Sequence, residues 1–188
     1  SQDKRQAMID HIREGDFLGK YGMYSISKQD ELHYDGEDID WGGGGQYIGM
    51  PNRIAESLYQ LGYEDKGWEI LSRCIRWCEG YPYFPQEIFT ERLSNPPYEM
   101  PLEISGGGGM QAILFGVFGL RPQNNRSLVV KPTRHKQLGR AILHGFVFAG
   151  HRYDVELGDE GYRVCRDGIP AAEAGYGTET VFEVSKKA

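Results

Sequence analysis

Cysteine is scarce in this chain: three in 188 residues, with no CxxC spacing. That odd count excludes a disulfide framework. Cys74 and Cys78 lie four apart on an expected helix, and Cys165 lies in a strand-like stretch. With no histidine near them in sequence, they read as ordinary buried thiols rather than metal ligands. Long apolar runs are also missing, and nothing approaches the roughly 20 residues of a membrane span. No stretch has the layout of a signal peptide. Lys/Arg runs are absent, and a net charge of −6 opposes binding to a phosphate backbone. The loose cluster Lys131, Arg134, His135, Lys136 and Arg140 reads as a solvated loop. The five histidines are scattered, and no Ser/His/Asp or Cys/His constellation is legible. His33 with Asp35, Asp38 or Asp40 is a faint metal-like grouping; no metal and no cofactor is expected.

Glycine, by contrast, is plentiful, with 26 residues, and two runs of four stand out: Gly42–Gly45 and Gly106–Gly109. Four glycines together cost backbone entropy, so each run implies unusual dihedrals or a close approach. Each follows acids, Asp38 and Asp40 before the first and Glu103 before the second. Each is expected to lead into an apolar helix. Neither is followed by the Lys-Ser/Thr of a P-loop, and neither has the strand–GxGxxG–helix setting of a dinucleotide site. The runs start about 64 positions apart, as repeated helical hairpins would.

The first part of the chain reads as helices and long loops. Gln2–Glu14 is an expected helix with Met8, Ile9 and Ile12 on one side. Nothing ahead of it could close a core, so the sequence reads as the C-terminal part of a longer protein. After Pro51, a helix places Ile54, Ala55, Leu58 and Leu61 on one face, with Gly62 as its stop. About Asp65–Glu79, the next helix places Trp68, Leu71, Ile75 and Cys78 on one face; the short turn makes the two an antiparallel hairpin. Gly80–Ser105 is a long loop with five of the nine prolines. Its aromatics, Tyr81, Tyr83, Phe84, Phe89 and Tyr98, argue for order. Met110–Leu120 reads as a buried helix through Ile113, Leu114, Val117 and Phe118. Beyond Pro122 the period becomes two. Strands are expected over Ser127–Val130, Ala141–Ala149, His151–Leu157, Tyr162–Cys165 and Thr178–Val184, with a hairpin across Gly150.

The acids crowd into the two long loops: Asp35, Glu37, Asp38 and Asp40 in one, Glu87, Glu91, Glu99 and Glu103 in the other. Glycosidic hydrolysis needs two carboxyl groups flanking a sugar, roughly 6.5–9.5 Å apart for inversion and roughly 5–5.5 Å for retention. One must stay protonated, through burial or a like-charged neighbour. Trp41, Tyr83 and Phe84 beside them suit stacking on sugar faces.

Together these residues carry a family resemblance. Tyr34–Leu61, YDGEDIDWGGGGQYIGMPNRIAESLYQL, resembles a late hairpin of the six-hairpin, (α/α)6-toroid glycosidases. Glu103–Pro122, EISGGGGMQAILFGVFGLRP, is similar to their last barrel helix, and SLVVKP, Ser127–Pro132, to the start of the β-sandwich that follows. The α-L-rhamnosidase-like members are the most similar, over about residues 15–165. The resemblance implies an α+β chain: helical hairpins of an incomplete (α/α)6 toroid over 1–122, then a small antiparallel β-sandwich over 123–188. It implies an inverting glycoside hydrolase with Glu87, in YPYFPQEIFTER, as the base and Glu91 as second choice. The general acid would lie upstream of this chain. Asp38, Asp40, Trp41, Tyr83, Phe84 and Glu103 would bind the carbohydrate. An N-terminal part of the protein, or a second copy, would complete the barrel. The alternatives are a glycoside phosphorylase holding phosphate at Ser105–Gly109, and a non-catalytic carbohydrate-binding fragment.

Overall fold

The structure, a computed structural model, describes residues 1–35, 44–81, 103–124 and 126–184, with the backbone alone for 103–106. It divides into two compact units, Ser1–Ala112 and Ile113–Ala188.

In the first unit, helix α1 runs from Gln2 to Asp10, and the Ser1 hydroxyl accepts a hydrogen bond from Lys4 N at its start. Ile9 is its only buried residue, and Met8 is 74% exposed. The chain then wraps around Asp16, which is fully buried. The Ser27 hydroxyl donates to one carboxylate oxygen at 2.5 Å, and His11 Nδ1 lies 2.7 Å from the other. Arg13 Nε is 3.6 Å from that second oxygen. Strands β1 (Met23–Tyr24) and β2 (Gln46–Tyr47) pair antiparallel. Helices α2 (Asn52–Gln60) and α3 (Glu64–Gly80) form a hairpin, and α4 (Glu103–Gln111) packs on α2.

Asp16 makes this unit acid-sensitive. Burial pushes its carboxyl up, but the hydrogen bonds from Ser27 and His11 and the charges of His11 and Arg13 outweigh burial and hold it below its ordinary value of 3.8. Between the folded and unfolded values the unfolded chain binds more protons. The stabilisation is therefore complete above the ordinary value and is lost as pH falls through the lowered one. Asp16→Asn should flatten the fall in melting temperature below about pH 4. An acid limb identical to that of the wild type would show that Asp16 carries none of it.

The helical faces differ from the sequence expectation in rotation. On α3 the buried stripe is Gly67, Ile70, Leu71, Cys74 and Trp77, while Cys78 is exposed. On α2 it is Asn52, Ala55, Leu58 and Tyr59, and Ile54 and Leu61 are about half exposed. Tyr59 and Trp77 are the larger anchors, and burying them turns each helix about its axis. Gly106–Gly109 lies inside α4 rather than ahead of it. Gly108 and Gly109 are buried, and a Cβ there would sit 3.0 Å from Gly49 O or 3.4 Å from Cys74 Sγ. The second glycine run thus lets one helix approach others closely.

A π-helical segment, Ala112–Val117, runs from the last residue of the first unit into the second and leads to strand β3 (Leu120–Gln123). This strand pairs with β4 (Ser127–Val130), which pairs with β9 (Thr180–Glu183). A second sheet runs in order β5 (Ala141–Phe148), β6 (His151–Leu157), β7 (Gly161–Arg166) and β8 (Ile169–Gly175). All pairings are antiparallel. Tyr153, Val155 and Leu157 on β6 are buried, as the alternation requires. The two sheets meet through Tyr153 edge-on to Phe182 at 5.5 Å. The Tyr162 hydroxyl lies 3.1 Å from Val130 O and 2.8 Å from Thr180 Oγ1.

This architecture corrects the expectation of an incomplete (α/α)6, six-hairpin toroid followed by a sandwich. Among the described residues there are four α-helices against nine strands in three antiparallel sheets. A toroid needs repeated amphipathic helix pairs. Here only α2 and α3 bury complementary apolar stripes, α1 buries one side chain, and from Leu120 onward the period is two. The argument for a second copy or an N-terminal part closing a barrel goes with the toroid.

Candidate functional site

The two acid-bearing segments, 36–43 and 82–102, lie outside the described residues, and with them Asp38, Asp40, Trp41, Tyr83, Phe84, Glu87 and Glu91. Glu103 opens α4, and its side chain likewise lies outside what is described. What the structure does describe is where these segments leave and rejoin the scaffold.

Both are tied to one aromatic cluster in the first unit. Tyr21, Ile48 and Trp77 are buried together, and Tyr81 packs against them. Tyr81, the residue before segment 82–102, stacks on Trp77 at 4.2 Å and 22°. Tyr21 meets the same indole edge-on at 5.4 Å. Tyr21 N in turn donates to Oε1 of the buried Gln46 at 3.1 Å. Gln46 stands three residues past segment 36–43, and its Nε2 has no hydrogen-bond partner among the described residues. On the near side of that segment, the Tyr34 ring is edge-on to Tyr24 at 5.8 Å. It also lies against Gly44, where a Cβ would come within 2.6 Å of it, and Gly44 has φ +112°. Glycine is required at that position by both the dihedral and the ring. Tyr34 and Gly44, which flank segment 36–43, thus lie against each other beside Tyr24, and Tyr81, which precedes segment 82–102, packs on the cluster of Tyr21, Ile48 and Trp77.

Nearby groups limit the chemistry. The Cys74 thiol is pushed up to about 12 by burial, so it is no thiolate at neutral pH. Cys78 is also raised by burial. His33 Nδ1 lies 2.9 Å from Asp30 Oδ2. That hydrogen bond is the main cause of the lowered Asp30 value, so His33 is engaged with Asp30. Among the described residues no group of three or more His, Cys, Asp or Glu could hold a metal ion, and no helix is long and apolar enough to cross a membrane. Gly107–Gly109 run within α4, and Gly108 and Gly109 are covered by α2 and α3. They do not form the open loop that a phosphate cradle at Ser105–Gly109 needs.

Sequence reasoning placed Tyr81 at the start of the long loop but missed Tyr21, Gln46 and Trp77. For Trp77 a signal existed. Gly67, Ile70, Leu71, Cys74 and Trp77 follow i, i+3, i+4, i+7 and i+10. For Tyr21 and Gln46 there was none, because Tyr21 sits in irregular chain and Gln46 in a strand of only two residues, too short to show a period.

No protein-family model matches the chain, and no curated protein does. Among solved structures, a chain named sialidase has a similar fold, with a TM-score of 0.75 and 13% identity. The similarity covers 96% of this chain and 19% of that one, so this chain spans about a fifth of the length of the protein it matches.

Proposed function

We propose that this chain is part of a glycoside hydrolase whose catalytic base comes from segment 82–102 and whose sugar-binding carboxylates come mainly from segment 36–43. The observation that carries this reading is a shared anchor: Tyr81, just before segment 82–102, packs on the cluster of Tyr21, Ile48 and Trp77, and Gln46, three residues past segment 36–43, accepts from Tyr21 N. Likeness to a chain whose name denotes a glycosidase supports it. In this reading Glu87 is the base that activates water, with Glu91 the next choice. Asp38, Asp40 and Glu103 bind sugar hydroxyls, and Trp41, Tyr83 and Phe84 stack on sugar faces. An acid elsewhere protonates the leaving oxygen, and two carboxyl groups spaced to admit water give inversion.

The test uses the natural gene product that contains this chain and a panel of aryl glycosides, α-L-rhamnosides and sialosides among them. Glu87→Gln is expected to lower kcat by about 100-fold or more on any substrate cleaved, because an essential base typically contributes that much. The product anomer, read by NMR, reports inversion. Loss of turnover in Glu91→Gln instead would move the base to Glu91. Turnover unchanged in both variants, or a protein that binds sugar and cleaves none of the panel, would overturn the hydrolase reading.

A further inference from the structure

A concavity of about 430 Å³ opens in the first unit. Lys20, Lys28, Arg73 and Arg76 line it, against a single carboxylate, Glu14. Four cations around one hollow are out of keeping with a chain of net charge −6. Arg73 is the built part. Its side chain is only 11% exposed. Nε donates to Gly19 O at 2.8 Å and one terminal nitrogen to Glu69 O at 2.6 Å. Two backbone carbonyls therefore hold the guanidinium plane in place. Its other terminal nitrogen donates to Glu14 Oε1 at 3.0 Å, and Glu14 is 85% exposed. A carboxylate from the chain itself thus already docks on this guanidinium, on a side chain that can swing away. Lys20 and Lys28 are steadied over the Tyr21 and Tyr24 rings, with Nζ at 5.0 and 4.4 Å from the centroids. The contact on Lys20 orients its ammonium over the ring.

We infer that this hollow binds a small multiply charged oxyanion, a phosphate or the carboxylates of an acidic sugar, with Arg73 as the fixed donor and Glu14 as the internal occupant it displaces. The volume suits a small ligand, and the terminal nitrogen of Arg73 that now meets Glu14 suits an oxyanion. The inference stands apart from the hydrolase reading, since it uses none of the acids assigned there.

The natural gene product is titrated by calorimetry with inorganic phosphate, with trigalacturonate and with neutral galactotriose. Binding of either anion and not of galactotriose is expected, weakening as salt is raised. The anion that binds identifies the source of the oxyanion. Lys20→Gln with Arg76→Gln should weaken that anion roughly tenfold by removing two charges at the rim. Glu14→Gln should strengthen it by about threefold to tenfold, because a competing carboxylate is gone. A merely structural Glu14–Arg73 pair would not produce that gain. No binding of either anion at millimolar concentration would overturn the inference. So would equal affinity for galactotriose, or affinity unmoved by the Lys20/Arg76 pair.

Discussion

Gly119→Ala is expected to unfold the Ile113–Ala188 unit. Gly119 has φ +61°, in the left-handed region where an alanine costs about 1–2 kcal/mol. Steric overlap costs more. A Cβ on Gly119 would overlap the Lys131 carbonyl and the Pro132 nitrogen, all of them backbone atoms. Those atoms cannot swing aside like a side-chain tip. Gly119 O also accepts from Lys131 N at 3.0 Å, so separating the two segments breaks a backbone hydrogen bond. That bond continues the β3–β4 pairing, whose end pairs Leu120 with Val130. A loss of about 4 kcal/mol or more is expected, a large part of the stability of a small unit. Urea unfolding and hydrogen exchange at the β3, β4 and β9 amides would read it. Gly168→Ala is the control: φ there is +79°, but no atom lies within 4 Å of the added Cβ. Equal midpoints for the two variants would show that the clash carries no cost.

Trp77→Ala should be nearly as damaging in the first unit, and should reach the function as well. Trp77 has no exposed surface and is among the largest fully buried side chains. Truncating such a residue typically costs about 3–5 kcal/mol, through lost burial and the cavity left behind. Its indole also holds Tyr21 edge-on and Tyr81 stacked, and Tyr81 is the residue before segment 82–102. On the proposed hydrolase reading, turnover of the natural gene product should therefore fall in Trp77→Ala even at temperatures where the fold persists. Trp77→Phe, which keeps a ring between the two tyrosines, should retain more of both properties. Chemical denaturation and kcat measured side by side separate the effects. Full turnover in a folded Trp77→Ala protein would show that the cluster does not position that segment.

Much of the strand layout was legible because period two is a local signal. Ser127–Val130 forms β4, His151–Leu157 forms β6, and Tyr162–Cys165 falls within β7. The turn across Gly150 also lies where its glycine put it, with positive φ at both Ala149 and Gly150. Strand β8, with Pro170, Ala171 and Ala172, lacks that alternation and was missed; its register comes from Tyr162–Arg166 beside it. Helix existence was legible for α2 and α3, but the face each buries was not. A stripe of several apolar residues fits two neighbouring rotations, and packing of Tyr59 and Trp77 chose between them. The toroid expectation failed for a related reason. A glycine run beside an apolar stretch suits either a loop before a helix or a smooth helix face, and in α4 it is the second.

By itself, then, the sequence determined the period of each strand, the presence of the α2–α3 hairpin, and the crowding of acids into two segments, since all three depend on residues close along the chain. The tertiary structure alone decided that Tyr21, Gln46, Trp77 and Tyr81 meet. It alone brought Arg73 to Gly19, 54 positions away. Such meetings follow from how loops close and which large side chains win the core, and no local pattern encodes either.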